Sequence, residues 1–215
     1  DRMAAEGMRF TQYYAGAAVC APSRCILLTG KHGGHAYVRN NHAMGPRESF
    51  AGQLPLLAEE VTFGELLKRR GYVTGCFGKW GLGAPGSSGD PLTQGFDRFY
   101  GYNCQAHAHN LYPRFLINQD REEVLEGNTR GLTGEHYGPQ RIADEMLQFV
   151  REHKDERFFL YYPTVIPHLA LQAPEEEIAE YKGQWEETPY EGNSYLPHPT
   201  PKACYAAMIS FMDKQ

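Results

Sequence analysis

The stretch VTFGELLKRRGYVTGCFGKWGLG, residues 61–83, joins a helix pattern to a strand pattern and decides the fold class. Thr62 and Glu65 have the spacing of a capping box, in which two side chains satisfy free backbone N–H groups at a helix start. Gly71 is a typical helix stop. An apolar run follows at once, and a glycine-rich loop comes after it. The pattern predicts a helix over 62–70, a strand over 72–77 and a loop over 78–91.

A second helix and strand follow in the same order further along the chain. Residues 139–153 carry apolar side chains at helical spacing, namely Ile142, Ala143, Met146, Leu147 and Val150. The run RFFLYYPT, residues 157–164, is typical of a strand buried on both faces. Two successive helix–strand units favour an α/β fold with a mostly parallel sheet flanked by helices. Smaller elements are also predicted: a strand over 10–14, a hairpin within 115–127, an acidic helix over 174–181 and a last helix from Pro201.

Three side chains with useful chemistry follow the predicted strands. Lys79 comes just after the strand ending at 77, His168 after the strand ending near 162, and Cys20 after the strand ending near 14. In parallel sheets, ligands bind beyond the carboxyl ends of the strands. We therefore expect Cys20, Lys79 and His168 to meet at one edge of the sheet. Taken singly, Lys79 has a plain alternative as a solvated loop lysine, and His168 as a surface histidine.

The stretch VCAPSRCILLTGKHGGH, residues 19–35, places a cysteine beside a helix start. Pro22 suits the first position of a helix, and Gly30 suits the left-handed residue that ends one. Cys20 then lies just ahead of the helix N-terminus, where free N–H groups favour negative charge. Arg24 lies one turn further along the helix and can point back to the same end. The pattern indicates a nucleophile beside an anion site; the alternative is an inert buried cysteine packed beside an arginine.

Composition narrows the class of protein. The 215 residues are enough for one large domain, and the net charge of -5 argues against a broad nucleic-acid surface. No apolar run is long enough to span a membrane. The five cysteines are an odd number without a CxxC spacing, which argues against a disulfide framework and against structural zinc. The chain opens on a helix end and closes in a helix pattern without a stop signal, which predicts an internal fragment of a longer protein.

Three stretches resemble the sulfatase family. CAPSRCILLTG is similar to its signature, in which C-x-P-S-R is followed by a leucine and T-G, and GYVTGCFGKWGLG is similar to its second motif, G-Y-x-T-x-x-x-G-K-W. FFLYYPTVIPHLALQAPEE resembles the later segment that carries a substrate histidine. The resemblance covers essentially the whole chain. It implies an arylsulfatase-type, formylglycine-dependent enzyme with the alkaline phosphatase-like fold. Residues 1–215 would then be part of the N-terminal catalytic domain, without its first strand and C-terminal portion.

The resemblance also implies a mechanism. Cys20 matches the cysteine that a formylglycine-generating or anaerobic sulfatase-maturing enzyme oxidises to an aldehyde. One hydroxyl of the hydrated aldehyde attacks sulfur, and the second then expels sulfate from the covalent ester. Arg24 matches the arginine that holds the diol oxygen, and Lys79 the lysine that bridges diol and sulfate. His168 matches the histidine near the leaving oxygen, a general-acid position.

Two departures from the family pattern affect the expected site. Many sulfatases have a histidine where this chain has Gly81, and that histidine assists diol deprotonation. His107 or His109 is a candidate substitute, and Gln105 is a candidate sulfate contact; the alternative for each histidine is a structural loop residue. The family's divalent cation, usually Ca²⁺, would here have only Cys20, as formylglycine, because its other ligands match positions outside this sequence. Calcium prefers six or more oxygen ligands, so the fragment alone is expected to be inactive.

The predicted function is sulfuric ester hydrolysis, acting on a sulfated small molecule or a sulfated carbohydrate. Two alternatives remain open. The first is a degenerate sulfatase-like protein that binds sulfated glycans without turnover, which Gly81 supports. The second is a phosphatase or phosphonate hydrolase of the same superfamily. The family resemblance implies a periplasmic or secreted location and a maturing enzyme as a partner, and the net charge of -5 argues against a nucleic-acid partner.

Overall fold

The computed structural model describes residues 2–45 and 52–215. Its helices are α1 (Arg2–Glu6), α2 (Cys20–Thr29), α3 (Phe63–Arg69), α4 (Gly138–His153), α5 (Glu175–Ala179) and α6 (Pro201–Asp213). Its strands are β1 (Val73–Lys79), β2 (Arg98–Tyr102), β3 (Phe115–Asn118), β4 (Arg121–Val124) and β5 (Phe158–Tyr161). A single 3-10 turn, His107–His109, lies between β2 and β3. Within these residues no helix combines the length and the apolarity needed to cross a lipid bilayer.

The five strands form one sheet in the order β4-β3-β2-β1-β5. β1 lies in the middle of its parallel part and pairs in parallel with both β2 and β5. The predicted hairpin is present as β3 and β4, and it extends the sheet through antiparallel pairs. The predicted α/β fold is therefore confirmed. Because β1, β2 and β5 run parallel, their carboxyl ends share one edge of the sheet. The hairpin lies beyond β2.

Helices cover both faces of the sheet. On one face, Phe77 and Tyr100 pack against the apolar stripe of α4, and the rings of Phe77 and Phe149 lie 5.4 Å apart. On the other face, Cys76 belongs to a core that includes Cys25 of α2. Burial of apolar side chains on both faces is what fixes the strands between the helices. The predicted stripe on 139–153 is confirmed for Ile142, Ala143, Met146 and Leu147, whereas Phe149 is buried in place of Val150.

The capping box predicted at the start of α3 is present. The Thr62 hydroxyl accepts a hydrogen bond from the backbone N–H of Glu65 at 3.2 Å, and the Glu65 carboxylate accepts one from the backbone N–H of Thr62 at 3.0 Å. Gly71 has φ +77°, a left-handed conformation that favours glycine. These contacts place the start of β1, because only a short turn separates it from α3.

The strand predicted over 10–14 is wrong. That segment is irregular, and the side chains of Phe10, Tyr13 and Tyr14 are exposed. A strand needs a neighbour for its backbone N–H and C=O groups, and none of the described strands pairs with this segment. Two boundaries also differ from the prediction, since α2 already includes Cys20 and β1 extends to Lys79.

The strand predicted to be buried on both faces, β5, is half-buried at every position. It pairs with β1 only, so within the described residues it is the edge of the sheet. β2 was not predicted. Its sequence RFYGY is short, contains a glycine and shows no alternation, so neither helix nor strand periodicity marks it.

Candidate active site

A cleft of about 260 Å³ opens at the carboxyl ends of β1 and β5. Its walls come from α2, from the last residue of β1 and from the segment that follows β5. The lining residues are Cys20, Ser23, Arg24, Leu27, Lys79, Tyr161, Pro163, Thr164, Val165 and His168. The structure thus brings together four residues that the sequence proposed for chemistry, although they are as much as 148 positions apart, from 20 to 168.

Cys20 is the first residue of α2 and is partly exposed. The ammonium of Lys79 donates a hydrogen bond to its sulfur at 3.4 Å. A hydrogen bond with His168, together with the charge of Lys79, holds the pKa of the Cys20 thiol at about 6, although burial opposes this. A thiol with so low a pKa is largely ionised near neutral pH. The cleft is therefore built to stabilise negative charge at the position of this sulfur.

The other four cysteines differ from Cys20 in the pKa of their thiols. Burial raises the pKa of the thiols of Cys25, Cys76, Cys104 and Cys204. Each is buried. Cys25 lies in the same helix as Cys20, so the difference between the two comes from their surroundings and not from the helix itself.

Lys79 differs from the solvated loop lysine that was one alternative. It is the last residue of β1, only 2% of it is exposed, and its backbone N–H donates to the carbonyl of Pro163 at 3.0 Å. Desolvation lowers the pKa of its ammonium, and the nearby charge of Arg24 acts in the same direction. A buried cation at a rigid strand end is a strong donor to any anion in the cleft, since low dielectric surroundings strengthen the attraction.

Arg24 is tied to the same strand end. Its Nη1 donates to the backbone carbonyl of Lys79 at 2.5 Å. Its Nε is buried, and no hydrogen-bond partner for it exists among the residues that the structure describes. An unsatisfied buried donor is costly, so this guanidinium is suited to receive an anion that the described residues do not supply.

His168 reaches the cleft from the turn that follows β5. Its backbone N–H donates to the carbonyl of Val165 at 2.8 Å, which fixes the turn. Its ring stacks on that of His109, with centroids 5.3 Å apart and planes at 20°. The hydroxyl of Tyr195 lies 3.5 Å from its Nδ1. Tyr195 was not anticipated, because a single aromatic residue in the loop EGNSYLPHP carries no pattern that marks it.

The two histidines considered as substitutes are separated by the structure. The His109 ring stacks on that of His168, which lines the cleft, whereas His109 is not itself a lining residue. His107 is 2% exposed, its Nδ1 accepts from the backbone N–H of Asn103 at 3.2 Å, and its Nε2 lies 2.8 Å from the carbonyl of Phe115. Burial lowers the pKa of His107 to about 4. Both of its nitrogens are engaged by backbone groups, as in the structural alternative, and His107 does not line the cleft.

Gln105 fills the space beside Gly81. A Cβ on Gly81 would lie 2.0 Å from the side-chain nitrogen of Gln105, and Gly81 has φ +74°. Gln105 itself is buried, and its backbone N–H donates to the side chain of Gln53 at 2.7 Å. It is not among the residues that line the cleft around Cys20. A side chain at 81 would therefore require the Gln105 amide group to move.

The described residues do not form a metal site. Across residues 2–45 and 52–215 no group of three or more histidine, cysteine, aspartate or glutamate side chains is placed to hold an ion. Calcium takes six to eight oxygen ligands, and the cleft offers Cys20 with two cations around it. The donor set of these described residues therefore does not fit calcium.

Comparisons with known proteins agree with the motifs. A family model described as Sulfatase matches residues 1–215. Human arylsulfatase G is 46% identical over 101 residues, which are 47% of this chain and 18% of that protein. Human N-acetylgalactosamine-6-sulfatase is 35% identical over 187 residues, 80% of this chain and 35% of that protein. A protein solved in complex with its substrate D-glucosamine-2-N,6-O-disulfate has 26% identity and a TM-score of 0.63, over 87% of this chain and 33% of its own. The chain spans between 18% and 35% of the length of these relatives.

Proposed function

The chain belongs to the sulfatase family, and on that premise we propose that the protein hydrolyses a sulfate ester at the cleft around Cys20. One observation carries the proposal: Cys20, Arg24, Lys79 and His168 converge in one cleft, with the Lys79 ammonium 3.4 Å from the Cys20 sulfur. A nucleophile, two fixed cations and an imidazole are what transfer of a sulfuryl group needs. Residues 1–215 would be part of the catalytic domain of the protein.

We propose that Cys20 is converted to formylglycine by a maturing enzyme. The modified residue supplies a hydrated aldehyde, whose oxygen is a nucleophile towards sulfur and whose carbonyl can re-form to release sulfate. The Cys20 sulfur in this structure then stands in for that oxygen. Its partial exposure at the start of α2 leaves it accessible to such an enzyme.

The chain's own residues would divide the work as follows. The Lys79 ammonium would neutralise charge on the nucleophilic oxygen and on the sulfate, in the position where it now contacts sulfur. The free Nε of Arg24 would donate to the same anion. His168 would give a proton to the leaving alcohol oxygen as the S–O bond breaks. Fixed donors in a water-poor site are the largest single contribution in many enzymes.

The proposed substrate is a sulfated carbohydrate. One similar protein has D-glucosamine-2-N,6-O-disulfate as its substrate, and another is named for N-acetylgalactosamine 6-sulfate. A cleft of about 260 Å³ admits a sulfate group, whereas a sugar ring would lie outside it, against the rim that carries His109 and Tyr195. We further propose that a divalent cation, Ca²⁺ in the family, is held mainly by groups outside the described residues, and that the protein is exported.

The test combines mass spectrometry and turnover. The protein is purified from its native host, and the peptide that contains Cys20 is examined for an aldehyde. Hydrolysis of 4-nitrophenyl sulfate and of hexosamine 6-sulfates is then measured, with Cys20→Ala as the control. We expect an aldehyde, and turnover that the substitution abolishes. An unmodified thiol together with binding of a sulfated glycan and no hydrolysis would establish the degenerate binding protein instead, and faster hydrolysis of phosphate esters would establish a phosphatase.

A further inference from the structure

The loop of residues 190–198, called here the Tyr195 loop, is held in one shape by its own contacts. Two backbone hydrogen bonds close its base, from the N–H of Tyr190 to the carbonyl of His198 and from the N–H of His198 to the carbonyl of Tyr190, both at 2.9 Å. The Tyr190 hydroxyl adds two hydrogen bonds to backbone groups within the loop, both at 2.9 Å. Ser194 has φ +76°, which is unfavourable for a residue with a side chain. Such a conformation persists where surrounding contacts impose it.

The Tyr195 loop brings one aromatic ring beside the cleft. The Tyr195 ring lies 4.9 Å from the ring of His109 and 5.7 Å from the ring of His168, which lines the cleft. The two imidazoles stack on each other with planes at 20°, whereas the Tyr195 ring is tilted by 51° against one and by 57° against the other. It therefore does not lie flat on either histidine. All three residues are half-buried, so part of each is open to solvent next to the cleft.

This rim differs in chemistry from the interior of the cleft. The interior holds the cations Arg24 and Lys79, which suit a sulfate group. Its volume of about 260 Å³ leaves the rest of a sulfated sugar at the entrance. In a sugar 6-sulfate, an ester oxygen and a methylene group separate the sulfur from the pyranose ring. The pyranose ring therefore lies close to the entrance, where Tyr195 offers a flat aromatic surface.

We propose that Tyr195 is a specificity-determining residue, whose ring packs on the sugar that carries the sulfate and selects the galacto configuration over the gluco configuration. The proposal deepens the proposed sulfatase function and rests on it for the placement of the sulfate in the cleft. Tyr195 takes no part in bond cleavage, and its contribution is to the affinity for the sugar.

The selection follows from the shape of the two sugars. In a galactopyranose the axial O4 leaves the hydrogens of C3, C4 and C5 on one face of the ring, which makes a continuous apolar patch. In a glucopyranose these hydrogens alternate between the two faces. The face of an aromatic ring is negative and attracts the weakly positive hydrogens of such a patch. A fixed tyrosine ring therefore contacts the galacto sugar over a larger area.

The first measurement is of binding and needs no turnover. The intact protein carrying Cys20→Ala, which cannot form the aldehyde, is titrated calorimetrically with galactose 6-sulfate, glucose 6-sulfate and inorganic sulfate. One aromatic contact is worth about threefold to tenfold in affinity, and galactose 6-sulfate should bind more tightly than glucose 6-sulfate by this factor. Tyr195→Ala should remove the preference, and Tyr195→Phe should keep it because the ring is retained. The affinity for inorganic sulfate should be unchanged in both variants.

The second measurement locates the contact on the sugar. In saturation-transfer NMR, the hydrogens on C3, C4 and C5 of bound galactose 6-sulfate should receive more magnetisation from the protein than its other ring hydrogens. Tyr195→Ala should abolish this difference. Tyr205→Ala is the matched control, because Tyr205 is an exposed tyrosine of α6 that does not line the cleft. It should leave the preference and the transfer pattern unchanged.

The outcomes separate a sugar contact from a structural role. Equal affinities for the two sugar sulfates, or a preference that survives Tyr195→Ala, would overturn the proposal. A weaker affinity of Tyr195→Ala for inorganic sulfate would also overturn it, since the ring would then support the cleft and not the sugar. Hydrolysis tests the proposed function separately. If the intact mature protein hydrolyses no sulfate ester, that function is refuted, while the binding preference still decides the role of Tyr195.

Discussion

His168 and His107 follow the carboxyl ends of two strands of the same sheet, and yet the structure gives them opposite surroundings. His168 lines the cleft, contacts the Cys20 thiol and packs against two other rings. His107 is buried, and both of its nitrogens face backbone groups. Position after a strand therefore brings a histidine near the site, but the partners of its nitrogens decide whether it can exchange a proton there. Gln105 and Gly81 differ from the cleft residues in a similar way, because neither of them lines the cleft.

The largest expected effect comes from the cleft. Cys20→Ala in the mature protein should lower kcat by at least about ten-thousandfold, as loss of a nucleophile does elsewhere. Stability should change by less than about 0.5 kcal/mol, because Cys20 is partly exposed and lies in no core cluster. Cys25→Ala, five positions along the same helix, is the matched control. It should keep turnover and lose about 1 kcal/mol of unfolding free energy, since Cys25 is fully buried.

Lys79→Met sharpens the comparison, because Lys79 belongs to the cleft although it is as buried as His107. Removal of one preorganised donor costs about a hundredfold or more in kcat. Methionine has a similar volume and no charge to desolvate, so the melting temperature should stay unchanged or rise. Turnover and melting temperature are measured on the same preparation. Turnover near that of the wild type would place Lys79 among the structural residues.

His107→Phe tests the buried side of the comparison. The change removes the imidazole that pairs with the N–H of Asn103 and with the carbonyl of Phe115, and loss of a buried hydrogen bond costs about 1–3 kcal/mol. It should also alter the dependence of stability on pH. The pKa of His107 is about 4 in the folded protein, below its ordinary value of 6.5. The unfolded chain therefore takes up this proton first as pH falls.

The stability that neutral His107 contributes is complete above about pH 6.5 and is lost as pH falls towards 4, a loss of about 3 kcal/mol. Urea unfolding at pH 7 and pH 4 should show this loss in the wild type and a smaller one in His107→Phe. His168→Phe is the control: it should lower turnover and leave the pH difference in stability in place. If His107→Phe retained the full pH dependence, another group would be responsible for it.

Gly81→Ala is expected to have the smallest effect. Position 81 has a left-handed φ of +74°, and the new Cβ would lie 2.0 Å from the side-chain nitrogen of Gln105. The left-handed conformation costs about 1–3 kcal/mol of unfolding free energy. The cost of the close contact disappears if Gln105 is replaced by a shorter residue. A double-mutant cycle with Gln105→Ala, followed by thermal unfolding, measures how much of the loss depends on the pair. Additive changes would contradict the packing described here.

Local signals made part of this structure predictable. The capping box and Gly71 mark α3, and the apolar stripe marks α4, because each lies within a few neighbouring residues. Convergence of Lys79 and His168 was predictable from topology once parallel strands were expected, whereas the reason given for Cys20, a strand over 10–14, was wrong, because Cys20 reaches the cleft as the first residue of α2. The burial of Lys79 and the difference between His107 and His109 were not predictable, since they depend on contacts with Pro163, Phe115 and Tyr195 that are distant in sequence.

Two groups of Lys79 contribute to the cleft. Its backbone carbonyl accepts a hydrogen bond from Arg24, and its side-chain ammonium contacts Cys20. The length of β1 therefore determines where these two groups of Lys79 lie in the cleft. Inserting or deleting one residue within 73–79 would move the last position by about 3.3 Å and turn it to the opposite face. Tolerance to insertions and deletions should accordingly differ sharply along the chain. It should be absent within β1 and greater in the turn at 85–88, where Gly86 and Ser88 are exposed.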